Sequence, residues 1–156
     1  SFGVVYCRQV LHHASDLTRM MKEINRVLIP GGIFIATREH VVDDQESMKI
    51  FLENHALHKY THAESAHSIE EYKLALSAAG LKLEKLLLSK DTVINHYPTT
   101  NSMIHNKFKK TLLGKFGDIG LLFENNQQME ILYRRWLSKH DHQPGRMISI
   151  VARVKK

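Results

Sequence analysis

Polar side chains suited to proton transfer and to binding charged groups follow two apolar runs near the start of the chain. The runs lie at residues 4–7 and 33–36, and each is followed by basic, acidic, amide or imidazole groups. These polar residues are Arg8, Gln9, His12 and His13 after the first run, and Arg38, Glu39 and His40 after the second. Because histidine changes charge near neutral pH, His12 or His13 could serve as a general acid or base.

A strand–helix–strand unit would bring the two polar groups together. Residues 4–7 are typical of a strand buried on both faces, and residues 33–36 of a second one. Between them, Ser15 or Asp16 can cap a helix, and Pro30-Gly31-Gly32 can end it. This order predicts a parallel pair of strands with a right-handed crossover. Ligands of such sheets lie beyond the carboxyl ends of the strands, where both polar groups fall.

The rest of the chain alternates between helical and strand patterns. Helices are predicted at 43–57, at 69–79 after a capping box that starts at Ser68, at 101–113 and at 126–140. Strands are predicted at 81–88 and 147–154. The last helix carries an apolar stripe that we interpret as core, made of Met129, Leu132, Tyr133, Trp136 and Leu137.

Length and composition favour a single globular domain over residues 1–156. No apolar run approaches the roughly 18 residues of a membrane span, and no secretory signal is evident. The single cysteine fits a reducing compartment, so a soluble, cytoplasmic protein without a membrane partner is expected. The net charge of +6 comes from scattered basic residues and does not by itself indicate a nucleic-acid partner.

Residues of the first strand–helix–strand unit also match a known family in order and spacing. They are Phe2-Gly3-Val4-Val5-Tyr6, Val10-Leu11-His12-His13, Asp16-Leu17 and Glu23-Ile24-Asn25-Arg26-Val27-Leu28-Ile29-Pro30-Gly31-Gly32. Over residues 2–40 the chain resembles the class I S-adenosylmethionine-dependent methyltransferases of the type 11 methyltransferase-like kind. The remainder is similar, more loosely, to the C-terminal half of the same family.

The resemblance implies an α/β fold with a partial Rossmann-like methyltransferase sheet. The family's strand order is 3-2-1-4-5-7-6, and this chain would supply strands 4-5-7-6, with the seventh antiparallel and helices on both faces. The family's glycine-rich turn has no counterpart, because Gly114, Gly117 and Gly120 have the wrong spacing and follow a helix. The chain is therefore expected to be the C-terminal portion of a methyltransferase domain, truncated and inactive by itself.

The resemblance also assigns roles to the polar residues. The residues that would border the cofactor S-adenosylmethionine, bound by the full-length parent, are Cys7, Arg8 and Gln9. His13 would be the catalytic residue. The residues that would contact a small-molecule substrate are His12, Arg38, Glu39 and His40.

Plainer interpretations of these residues remain open. The two adjacent histidines could simply cap the strand end and bond to the backbone. Arg38 and Glu39 could form a surface ion pair of small energetic value. Cys7 could be a small buried apolar residue and not a nucleophile.

A second group of histidines raises the question of a metal site. His55, His58, His62 and His67 stand three to five residues apart, and imidazole is a common zinc ligand. Residues 57–61 are poor helix sequence, however, and neither paired cysteines nor an HExxH pattern accompanies them. No metal is therefore expected.

The leading interpretation is a methyltransferase that uses S-adenosylmethionine to modify a small molecule. The alternative is a non-catalytic binding or interaction module derived from the same fold. A basic nucleic-acid-binding domain is a weaker third reading, which a steep salt dependence of oligonucleotide binding would mark. The outer edge of the strand at residues 4–7 has no partner in this half-sheet, so either a homodimer through that edge or a covering segment is expected.

Overall fold

The computed structural model describes residues 1–55 and 65–155. These residues pack into two compact units, one made of Ser1–Leu87 with His142–Lys156 and the other of Leu88–Asp141. None of the described helices combines the length and the apolarity that crossing a membrane requires. The prediction of a single folding domain stays a prediction, because the division into units describes packing and not folding.

The first unit contains a four-stranded sheet. Its strands are β1 (Phe2–Arg8), β2 (Leu28–Val41), β3 (Leu81–Leu87) and β4 (Arg146–Val154). The spatial order is β1-β2-β4-β3, in which β1 and β2 are parallel and β4 is antiparallel to both of its neighbours. The predicted α/β class and the predicted order of the four strands are confirmed.

Helices with side-chain caps connect the strands of this unit. They are α1 (Leu17–Val27), α2 (Gln45–Asn54) and α3 (Ile69–Ala78). Asp16 caps α1 by accepting a hydrogen bond from the backbone nitrogen of Arg19 at 2.8 Å, which decides between the two predicted caps. The predicted capping box of Ser68 opens α3 with Glu71 as its second member.

The second strand is longer than the sequence pattern predicts. Helix α1 ends at Val27, and β2 begins at Leu28, so the Pro30-Gly31-Gly32 segment lies inside the strand and not at its entrance. At its other end β2 continues to Val41 because β4 keeps pairing with it after β1 has ended at Arg8. Arg38, Glu39 and His40 therefore lie within β2 and do not follow it.

The first strand is more exposed than predicted. Alternate side chains of β1 point to opposite faces, and those of Phe2, Val4 and Tyr6 are 54% to 60% exposed. Val5 and Cys7, on the other face, are half-buried. The prediction of a strand buried on both faces is wrong for the described residues, because nothing in that part of the chain covers the first of these faces.

The second unit is helical. Its elements are α4 (Val93–His96), α5 (Asn101–Phe116), α6 (Asp118–Leu121) and α7 (Gln127–Lys139). Helix α5 buries Ile104, Phe108 and Leu112, which recur every four residues. The predicted core stripe of α7 is wrong in part, because Leu132 is 62% exposed and Trp136 is 53% exposed.

Candidate functional site

The candidate site lies in the first unit, at the carboxyl ends of the parallel strands β1 and β2. Their pairing ends at Arg8 and Thr37. The next residue, Gln9, has a φ of 53° and donates its backbone N–H to the carbonyl of Thr37 at 3.0 Å. This reversal leads the chain into a 3₁₀ turn at Leu11–His13, which places both adjacent histidines beside β2.

Glu39 is the buried centre of the site, with no exposed surface. Its Oε1 accepts from the backbone nitrogen of Val10 at 3.2 Å and faces the thiol of Cys7 at 3.9 Å. Its Oε2 accepts from the backbone nitrogen of His12 at 3.2 Å and from His12 Nδ1 at 2.9 Å. A buried carboxylate is costly unless it is hydrogen-bonded, and here several donors share the two oxygens.

A break in the regular pairing of β2 aims Glu39 at these donors. The register between β2 and β4 shifts between Ala36 and Glu39, and Arg38 has a φ of 59°. A residue in the left-handed region is uncommon outside glycine, and a β-bulge re-aims the side chains that follow it. The local backbone therefore sets the direction of the Glu39 carboxylate.

Four imidazole rings form a row that starts at the surface and continues inside. The ring centroids of His13 and His12 lie 4.1 Å apart, those of His12 and His40 4.7 Å, and those of His40 and His55 5.6 Å. His13 is exposed, His12 and His40 are buried, and His55 is half-buried. This histidine row runs from the exposed His13 to the half-buried His55 and places four imidazole groups side by side.

His40 is held in its neutral form. Burial lowers the pKa of His40, and the nearby His12 and His55 act in the same direction, against a hydrogen bond to the Gly145 carbonyl that raises it. In that bond Nδ1 donates to the carbonyl at 2.8 Å. Gly145 suits this close approach, since it has a φ of 76° and a Cβ there would collide with the ring of Phe51.

Two further protic groups near Glu39 stay protonated. Burial, with the charge of Glu39 as a smaller cause, raises the pKa of the Cys7 thiol to about 12. Burial also raises the pKa of Tyr72, whose hydroxyl donates to the His40 carbonyl at 3.2 Å. Since the thiolate is the nucleophilic form of cysteine, this environment supports the plainer interpretation of Cys7.

The structure brings most of the predicted site residues together. Those within the cluster are Cys7, His12, His13, Glu39 and His40. Arg8 and Gln9 are exposed at the end of β1, and Arg38 is half-buried at the β2 bulge. Glu39 does not suit the expected contact with a substrate, because it is fully buried and its oxygens face the chain's own donors.

Sequence reasoning missed the contributions of His55, Tyr72 and Gly145. His55 was noticed only as part of a metal pattern, whose members His58 and His62 lie outside the described residues. Within the part of the chain that is described, no group of three or more candidate ligands is placed to hold a metal ion. Tyr72 contacts His40 through its hydroxyl, Gly145 contacts it through its backbone carbonyl, and both contacts join residues that are distant in the sequence.

A family model described as "Methyltransferase domain" matches residues 1–36. This segment contains β1, the histidine turn, α1 and the first part of β2. No curated protein matches the chain. The resemblance to a methyltransferase is thus confirmed over residues 1–36, which include most of the 2–40 segment that carries it.

Solved structures with a similar fold cover nearly the whole chain. An S-adenosylmethionine-dependent methyltransferase from Mesorhizobium loti is 15% identical over 98% of this chain, with a TM-score of 0.52. The YcgJ protein from Bacillus subtilis is 19% identical over 100% of the chain, with a TM-score of 0.52. The cyclase SpnF is 19% identical over 99% of the chain, with a TM-score of 0.51.

These similarities establish the fold but not the reaction, because the cyclase SpnF has the same fold. The chain spans 62% of the length of the Mesorhizobium protein, 65% of YcgJ and 51% of SpnF. The reaction therefore has to be argued from the residues of the site.

Proposed function

We propose that the whole protein to which this chain belongs transfers a methyl group from S-adenosylmethionine to a small molecule. The observation that carries the proposal is the Glu39–histidine cluster at the carboxyl ends of β1 and β2, beside the segment that matches the methyltransferase model. Open α/β sheets bind their ligands at this end of the strands. The single cysteine of the sequence leads us to place the protein in the cytoplasm.

The end of β1 fits one border of the cofactor. Arg8 and Gln9 are exposed there, and their guanidinium and amide groups suit the carboxylate and ribose hydroxyls of S-adenosylmethionine. Cys7 precedes them as a small, half-buried side chain. When bound, the cofactor supplies an electrophilic methyl group, and the residues of this chain would hold the acceptor in line with it.

His13 is the proposed catalytic residue because it is the exposed end of the histidine row. An imidazole there can take a proton from an acceptor hydroxyl or amine. We assign His12, Arg38 and His40 to the substrate side, as the resemblance implies. Glu39 is instead a positioning residue, since it holds the Nδ1–H of His12 and has no exposed surface.

Calorimetric titration with S-adenosylmethionine and its demethylated product tests the proposal. The titrations use this chain and the complete reading frame that contains it. We expect binding by the complete protein, weakened by a double Arg8→Ala and Gln9→Ala substitution but not by Arg19→Ala on α1. Absence of binding by both proteins would overturn the proposal and favour the non-catalytic binding module.

A further inference from the structure

The helical second unit contains a groove that the methyl-transfer proposal does not use. It encloses about 600 Å³ between α5 and α7. The residues of its lining that matter here are Lys107, Thr111, Lys115, Leu132, Tyr133 and Trp136. Pockets that bind small molecules commonly enclose about 300 to 1,000 Å³, so this groove has the size of a ligand site.

The floor of the groove is aromatic and held in place. The rings of Tyr133 and Trp136 lie 6.2 Å apart and within 22° of parallel. The Tyr133 ring also lies 5.3 Å from that of Phe108, a buried residue of α5. Its hydroxyl lies 3.1 Å from Thr111 Oγ1, which itself donates to the Lys107 carbonyl at 2.8 Å. This floor is therefore pre-formed and faces the opening with an apolar surface.

The floor is nevertheless open to solvent. Leu132 is 62% exposed and Trp136 is 53% exposed. Contiguous exposed apolar surface, especially in a groove, is a mark of an interaction site. The groove thus offers apolar contact to an occupant.

The rim of the groove is positively charged. Lys107 and Lys115 are separated by two turns of α5 and so lie on one face of the helix with Thr111. Some other cations of the unit are paired, as Lys109 is with Glu124 and Arg134 with Glu130. Among residues 1–55 and 65–155, neither rim lysine forms an ion pair, and the same is true of Lys110 and Arg135. The rim is therefore complementary to an anion.

We propose that this groove binds a small molecule in which an apolar body carries one anionic group, such as a medium-chain carboxylate. The apolar body would lie on Leu132 and Trp136, and the anion would face Lys107 and Lys115. His140 donates Nδ1–H to the Trp136 carbonyl at 2.8 Å, which leaves Nε2 directed elsewhere as a further polar contact. This site does not depend on the proposed methyl transfer.

Trp136 gives the site its own spectroscopic signal, since it is the single tryptophan of the sequence. The experiment titrates the whole chain with decanoate below its micelle concentration and follows Trp136 emission. Decanol and decyltrimethylammonium serve as neutral and cationic probes of the same chain length. We expect saturable binding of decanoate that is tighter than that of decanol, and the weakest binding for the cation.

Substitutions separate the two parts of the site. A double Lys107→Met and Lys115→Met variant should weaken decanoate binding about three- to thirtyfold and leave decanol unchanged. Lys110→Met is the matched control, because Lys110 lies on the same helix but does not line the groove. It should change neither the affinity for decanoate nor that for decanol. Leu132→Ser replaces an exposed side chain, so it should leave the fold intact and weaken the binding of both decanoate and decanol.

Several results would overturn the proposal. One is equal affinity for decanoate and decyltrimethylammonium, and another is no effect of the double lysine substitution. A Trp136 response to vesicles of anionic phosphatidylglycerol without a response to decanoate would identify a membrane surface instead. A change in Trp136 emission with protein concentration alone would identify a second copy of the chain as the occupant.

Discussion

One oxygen of Glu39, Oε2, lies 2.9 Å from Nδ1 of His12 and 3.2 Å from the backbone nitrogen of the same residue. A carboxylate can only accept, so the hydrogen of this contact lies on Nδ1. The two contacts fix the position of the 3₁₀ turn and the orientation of the imidazole together. The ring of His12 is therefore oriented before any ligand binds.

Removing the Glu39 carboxylate should destabilise the fold strongly. Glu39→Ala leaves the buried backbone and ring donors of His12 and the backbone donor of Val10 without an acceptor, so we expect a loss of about 3 kcal/mol or more in the free energy of unfolding. Urea unfolding measures it. Glu84→Gln, in an exposed pair with Arg153, is the control and should have little effect. Equal effects of the two substitutions would contradict the central role of Glu39.

Stability should fall on mild acidification because of His40. Its pKa is lowered in the folded protein by burial, so below the ordinary histidine pKa near 6.5 the unfolded chain binds a proton that the folded chain does not. The free energy of unfolding should therefore decrease from about pH 7 to about pH 5, by at most about 1.4 kcal/mol per pH unit for this group. Urea unfolding at several pH values measures the slope.

A matched pair of variants tests how much His40 contributes to the pH dependence of the free energy of unfolding. The other titratable groups that face it are His12, His55 and Glu39. His40→Asn keeps an amide donor for the Gly145 carbonyl but cannot titrate, so the slope should become smaller. His140→Asn removes an exposed imidazole and should leave the slope unchanged. An imidazole resonance of His40 that titrates above the ordinary value would show that the expected direction is wrong.

The sheet could be predicted because its determinants are local. The apolar runs, the Asp16 cap and the Ser68 capping box each act within a few residues, and the resemblance supplied the order of the strands. The site could be predicted in outline for the same reason, since carboxyl ends of parallel strands meet at one edge. Cys7 and His12 accordingly lie beside Glu39.

The remaining features depend on contacts distant in sequence. The sequence predicts Glu39 as a substrate contact or as half of a surface ion pair, and the register shift against β4 instead turns it inward. His40 depends on Gly145, which is 105 residues away. The stripe of α7 has the periodicity of a core helix, and periodicity cannot distinguish a buried face from the floor of an open groove. The aromatic groove around Trp136 was missed for this reason.

Cys7 should react slowly with alkylating agents. Burial and the charge of Glu39 raise its pKa to about 12, so almost no thiolate is present at pH 8. Mass spectrometry of iodoacetamide-treated protein should show slow labelling of the folded chain and rapid labelling in urea. The readout is unambiguous because the sequence has one cysteine. Rapid labelling of the folded chain would show that the thiol is accessible and ionised.

The open edge of β1 should support a homodimer. Among the described residues β1 pairs with β2 alone, and the exposed Phe2 and Val4 lie on this edge strand. An unpaired apolar edge is a template for another strand, and lysine on it opposes such pairing. Sedimentation velocity should show a dimer that a double Phe2→Lys and Val4→Lys variant converts to monomer. Leu74→Lys on α3 alters an equally exposed apolar residue away from the edge and should leave the dimer intact. A monomeric parent chain at micromolar concentrations, or a double variant that still dimerises, would rule out this edge as the interface.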